Sequence, residues 1–166
     1  WEHDTANDPK AGIGGTRQVI WYTEAARYAK SGNRTDVKVI TASMMSVPKA
    51  ANTLVIAEST PEGCLGWFWE NWGDAVTLEE AMAGKYGNGW IKIFAAWHEF
   101  EDSKLKRGPL TERYFDEHLS DSEKRGVQLY GWTQEQIAWR RSTIESECAG
   151  DENTFLQDYP TDDESC

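Results

Sequence analysis

The sequence predicts an α/β protein built on a parallel sheet with flanking helices. Three observations predict it. Short β-branched and aromatic runs stand at residues 17–22, 53–57 and 90–97. Segments with helical spacing fill the intervals between them. After Pro109 the chain turns to helices alone. Strands separated by helices need crossovers to pair, and crossovers give parallel pairing with helices on the sheet.

Each element follows from local chemistry. Residues 1–16 are polar and rich in glycine, so they read as a loop. Val19-Ile20-Trp21-Tyr22 suits a buried strand. Residues 24–30 hold good helix formers and stop at Ser31-Gly32-Asn33. In residues 35–47, Val37, Ile40, Met44 and Val47 share one helical face, and Pro48 ends the segment. Leu54-Val55-Ile56-Ala57 is the second strand and runs into a turn at residues 58–63. Residues 65–82 are aromatic and amphipathic and predict one helix; Gly87-Asn88-Gly89 is a turn, and residues 90–97 are the third strand. Helices follow over residues 110–119 and 133–148, the latter with Thr133 as N-cap. Residues 155–160 form a short apolar patch ending on Pro160. The change of character divides the chain into residues 1–108 and residues 109–166.

Composition narrows the function. The formal net charge of −11 lacks the basic surplus of a free-standing nucleic-acid binder. Residues 142–166 hold eight acidic side chains and no basic one, which reads as a solvated acidic tail. The three cysteines, Cys64, Cys148 and Cys166, form no CxxC pair, so neither a zinc site nor a disulfide framework is expected and a reducing interior fits. The three histidines, His3, His98 and His118, are too scattered for a ligand set. No apolar run reaches membrane-spanning length and no signal peptide is visible. The chain opens on Trp1 and stops at Cys166 within an acidic run, so both ends look cut.

Ligands of parallel sheets bind where the strands end. Two turns fall there. Glu24 follows the first strand, where a carboxylate can orient or deprotonate an attacking water. A glutamate in that place also simply favours the start of a helix. Ser59 and Thr60 follow the second strand and can meet a phosphate or a neighbouring carboxylate, or cap the next helix. Trp67, Trp69 and Trp72 crowd one segment, as a stacking platform or as core; core packing is preferred. Arg140 and Arg141 read as phosphate contacts or as an ordinary helix surface, and the acidic surroundings favour the surface. No GxxxxGK[ST] loop occurs anywhere in the chain.

In order, these segments resemble the large subunit of tailed-phage terminases. Val19-Ile20-Trp21-Tyr22-Thr23-Glu24-Ala25-Ala26-Arg27-Tyr28 is similar to that family's Walker B strand and following helix. Leu54-Val55-Ile56-Ala57-Glu58-Ser59-Thr60-Pro61-Glu62-Gly63 is similar to its coupling motif. Gln136-Ile137-Ala138-Trp139-Arg140-Arg141 and Phe155-Leu156-Gln157-Asp158-Tyr159-Pro160 resemble its linker region. The resemblance runs from about Gly14 to the C-terminus.

The resemblance implies the C-terminal part of a P-loop NTPase-type sheet over residues 1–108 and a mostly helical linker over residues 109–166. The implied activity is that of an ATP-hydrolysing motor that packages double-stranded viral DNA into a procapsid in the host cytoplasm. ATP and Mg²⁺ are its implied cofactors. The portal protein, the terminase small subunit and a homo-oligomeric ring are its implied partners. Glu24 becomes the catalytic glutamate, and Ser59, Thr60 and Gly63 become the elements that couple hydrolysis to movement. Thr23 stands where the family often has the magnesium-side Asp, so the metal ligands are left open. The Walker A loop is expected before Trp1 and the nuclease after Cys166. Two readings of other classes stand beside this one. One is a carbohydrate-binding or glycoside-cleaving domain, from the many Trp and carboxylates. The other is a non-catalytic prophage remnant.

Overall fold

A computed structural model describes residues 14–28 and 35–163. The first thirteen residues of the loop expected over residues 1–16, the helix end at 29–30 and the turn at 31–33 lie outside the described residues, as do His3 and Cys166. The chain is mixed α/β and divides into two compact units that part between Ile93 and Phe94. The change to helices alone comes later, at Pro109.

The first unit starts with β1 (Val19–Tyr22), a 3-10 turn (Ala25–Tyr28) and α1 (Thr35–Met44). Then come β2 (Leu54–Ala57), α2 (Gly66–Asp74), β3 (Val76–Thr77), α3 (Leu78–Met82) and β4 (Ile91–Lys92). β1 and β2 pair in parallel, Val19 opposite Leu54 and Tyr22 opposite Ala57. Successive side chains of a strand point to opposite faces. On one face, Ile20, Tyr22, Val55 and Ala57 pack with Ala25, Ile40, Met44, Trp67 and Phe68 into a core. Tyr22 also ties β1 to α1, its hydroxyl lying 2.5 Å from Ser43 Oγ and 3.3 Å from the Ile40 carbonyl. Burial raises the titration of the Tyr22 hydroxyl. The other face is open: Val19, Trp21, Leu54 and Ile56 are 52%, 59%, 53% and 37% exposed.

Two sequence expectations change in this unit. The single helix expected over residues 65–82 is broken into α2, β3 and α3. A capping box interrupts the amphipathic pattern: Thr77 Oγ1 accepts the Glu80 N–H (3.2 Å) and Glu80 Oε2 accepts the Thr77 N–H (3.1 Å). Such a box starts a new helix, so the chain must be extended just before it. The strand expected over residues 90–97 is confined to Ile91–Lys92, because among the described residues only Val76–Thr77 pairs with it. It forms a second two-stranded parallel sheet and does not join β1 and β2.

The second unit holds a 3-10 turn (Trp97–Glu99), α4 (Pro109–Tyr114), α5 (Asp121–Tyr130), α6 (Gln134–Ser146) and α7 (Glu152–Asp158). Each long helix is capped by its sequence. Pro109 opens α4. Ser120 with Glu123, and Thr133 with Gln136, form capping boxes at α5 and α6. Asp151 accepts the N–H groups of Asn153 (3.1 Å) and Thr154 (3.2 Å) at α7. The core is Trp97, Trp132, Ile137, Cys148 and Phe155, with Trp139 and Tyr159 packed against it. Trp97 meets Trp132 at 4.8 Å and stacks on Trp139 at 5.4 Å, so three of the tryptophans are spent on packing.

Two more expectations change here. The helix expected over residues 110–119 ends at Tyr114. The acidic end is folded: α7 buries Phe155 completely, Glu147 accepts the Tyr159 hydroxyl (2.9 Å) and Asp162 accepts the Tyr130 hydroxyl (2.8 Å). Among the described residues of this stretch, the acids lie on or beside α6 and α7, with Glu147, Asp151, Glu152 and Asp162 in hydrogen bonds, rather than in a solvated tail. Among the described residues, no helix is long and apolar enough to cross a membrane.

Candidate functional site

Parallel pairing of β1 and β2 brings their C-terminal ends to the same edge, and with them both candidate turns. The join is made by backbone. The Glu58 N–H donates to the Tyr22 carbonyl (3.0 Å), and the Ala25 N–H donates to the Glu58 carbonyl (3.0 Å). Ser59 completes it. Its Oγ accepts the Ala26 N–H (3.1 Å) and donates to the Thr60 carbonyl (2.7 Å).

Glu24 sits at the bend with φ +53°, in the left-handed region. For a residue with a Cβ this costs about 1 kcal/mol. Hydrogen bonds of Ala25, Ala26 and Arg27 around it, including Arg27 N–H to the Glu24 carbonyl (2.9 Å), hold the bend in place. The Glu24 side chain is 46% exposed, yet its Oε2 is shut off from water and has no aligned hydrogen bond. That oxygen lies 3.3 Å from Arg27 Nε. The same Nε lies 3.5 Å from Glu62 Oε2, on the loop after β2. The guanidinium thus stands between the two turns.

The remaining candidates fall close by. Thr60 Oγ1 is out of contact with water and has no hydrogen-bond partner among the described residues. Gly63 has φ +78°, and a Cβ there would meet nothing within 4 Å, so its conformation rather than its space calls for glycine. Thr23 is exposed. Burial pushes the Tyr28 hydroxyl up, the nearby Thr23 hydroxyl opposes this, and the Glu58 charge adds to it.

The edge therefore offers one carboxylate open to water on one side and held by a cation on the other, flanked by hydroxyls. Such a group can orient a water or take its proton. Among the described residues, no group of three or more His, Cys, Asp or Glu is placed to hold a metal ion.

Sequence reasoning paired Glu24 with no cation. Arg27 and Glu62 were hidden because each looks like an ordinary surface residue. The available signal was the i, i+3 spacing of Glu24 and Arg27.

The other sequence-level candidates serve packing. Trp67 meets Tyr22 at 6.5 Å and Trp90 at 5.3 Å, whereas Trp69, two residues on, faces solvent. Arg140 and Arg141 are not a plain helix surface. Arg140 is 3% exposed and pairs with Glu152. Arg141 grips Glu123 with two bonds of 2.7 and 2.8 Å and donates to the Tyr114 and His118 carbonyls, each at 3.1 Å. Both guanidiniums are committed inside the second unit.

No protein-family model, curated protein or solved structure matches this chain.

Proposed function

We propose that this chain is the part of a terminase large-subunit motor that carries the catalytic glutamate and the coupling turn. The observation that supports this reading is the pairing of the two turns: a strained glutamate after β1 lies beside the Ser59–Thr60 turn after β2, joined by the Ala26 to Ser59 hydrogen bond. In a nucleotide hydrolase, a carboxylate after one strand orients the attacking water, and a neighbouring polar turn senses whether the γ-phosphate is present. Glu24 takes the first role. Ser59, Thr60 and Gly63 take the second.

On this reading β1 and β2 belong to a larger P-loop-type parallel sheet, and the second unit is the linker. The phosphate cradle is supplied by sequence outside these residues, since no GxxxxGK[ST] is present. The substrate is ATP with Mg²⁺. The cargo is double-stranded viral DNA, moved in the host cytoplasm by a ring that meets the portal and the small subunit.

The test uses the natural polypeptide that carries this sequence. Glu24→Gln keeps the shape of the side chain and removes its charge. Turnover of ATP should fall by about 10²-fold or more, while nucleotide binding stays. Near-normal turnover removes Glu24 from the mechanism. These residues alone should show neither ATP hydrolysis nor DNA cleavage, and measurable ATPase activity from them would contradict the reading.

A further inference from the structure

We infer that Arg27 is a positioning residue that holds the Glu24 carboxylate and ties it to the loop after β2. The inference rests on the role proposed above for Glu24. Three observations carry it. First, Arg27 is a charge partner of Glu24, and the oxygen it faces is closed to water. Among the described residues, that oxygen has no hydrogen-bond partner. Second, one nitrogen faces two acids: Nε is 3.3 Å from Glu24 and 3.5 Å from Glu62. The guanidinium is not aligned on Glu24 as a hydrogen-bond donor, so its charge is divided between the two carboxylates, which compete for it. Third, the backbone of the same 3-10 turn is held by Ser59 through the Ala26 N–H. A shift of the loop between Ser59 and Gly63 therefore reaches Arg27 by two routes, through the chain and through Glu62.

The consequence is a graded hold. When Glu62 draws the guanidinium away, Glu24 keeps its strained backbone but loses its side-chain anchor. When Glu62 withdraws, Arg27 sits wholly on Glu24 and the free oxygen of that carboxylate has one orientation toward water. Arginine suits this better than lysine, because its planar group fixes the direction of Nε–H.

The test is a kinetic double-mutant cycle on ATP hydrolysis by the natural polypeptide. Arg27→Gln should lower kcat about tenfold with KM for ATP unchanged, because a misaimed carboxylate slows the chemistry without loosening the substrate. Arg27→Lys, which restores the charge without the fork, should recover part of that loss. Glu62→Gln should change kcat by about threefold in the parent and by clearly less in the Arg27→Gln background, since the part of its effect that reaches Glu24 passes through the guanidinium. Thermal midpoints should stay together, because pairs this exposed contribute little to folding. A kcat for Arg27→Gln within twofold of the parent overturns the inference, and so does a Glu62→Gln effect of equal size in both backgrounds. If the parent hydrolyses no ATP, or Glu24→Gln hydrolyses it normally, the proposed function falls first and this inference with it.

Discussion

Replacing Glu123 by alanine should unfold the second unit more readily than any change on its surface. Glu123 is almost fully buried, and both its oxygens are in use. Oε1 accepts Arg141 Nε at 2.7 Å and lies 3.8 Å from Arg140. Oε2 accepts Arg141 Nη2 and the Ser120 N–H, each at 2.8 Å. The alanine variant leaves the buried Arg140 with Glu152 alone and cuts the two-pronged hold on Arg141. Breaking a buried ion pair on one side costs about 3–5 kcal/mol. Arg141 keeps some access to water, which places the cost near the low end, at about 3 kcal/mol. For a unit held by about 5–15 kcal/mol, that is a large fraction. Urea unfolding followed by fluorescence reads it, because Trp97, Trp132 and Trp139 share the core of this unit. Burial disfavours the Glu123 charge, but the Arg141 bond, the Ser120 N–H and the charges of Arg141 and Arg140 outweigh it, so the carboxyl titrates below its ordinary range. A group lowered on folding stabilises above its unfolded pKa, and the gain fades as pH falls through the folded value. The gap between parent and variant should therefore narrow below about pH 4.3. A gap under about 1 kcal/mol at neutral pH would show that the network is no stronger than an exposed pair and refute the reasoning.

Two further outcomes are expected. Gly126→Ala puts a Cβ inside the contact distance of the Trp132 ring, so the buried indole must move. The variant should lose about 1–3 kcal/mol despite the better helix propensity of alanine, and a raised melting temperature would show that the contact is looser than described. Tyr159 is pushed up to about 12 by burial, by its bond to Glu147 and by that group's charge. A tyrosine raised on folding stabilises fully below its unfolded pKa and loses that contribution as pH climbs to the folded value, here from about 10 to about 12. Ultraviolet titration of the parent should show a late ionisation step shared with the buried Tyr22 and Tyr28, and Tyr159→Phe should remove one tyrosine's amplitude from it; an unchanged late step would assign it elsewhere.

Elements with a complete local signal were legible in the sequence. The β-branched runs at β1 and β2, the apolar stripe of α1 and the Thr133 cap of α6 each carry their own instruction. The breaks were not, because they are decided by competition. Thr77 and Glu80 win against an aromatic pattern that alone reads as one helix. The run at 90–97 is strand-like throughout, but strands need partners, and only two residues find one. α5 is hard to read because its first turns are charged and its apolar residues, Val127, Leu129 and Tyr130, fall only in its last turn; its Ser120–Glu123 box and the left-handed Gly131 that closes it are the readable marks. Missing α5 also hid the fate of Arg140 and Arg141, since Glu123, the acid that binds Arg141 and faces Arg140, stands on it. At the candidate site, order along the chain gave Glu24 and the Ser59 turn. The Arg27 bridge depends on the left-handed bend at Glu24, and no residue-type pattern announces a glutamate in that conformation.

The open face of the β1–β2 sheet makes the stability of the first unit conditional. Parallel strands are ordinarily covered on both sides. Here Val19, Trp21, Leu54 and Ile56 keep a hydration shell whose release is worth about 25 cal/mol for each Å² withdrawn from water. That free energy is held in reserve. Any surface that meets this face in the folded form, and not in the unfolded one, adds it to the folding equilibrium by mass action. A melting temperature for this unit would then be a property of the unit and its surroundings together, rising with the concentration of any surface that covers the sheet.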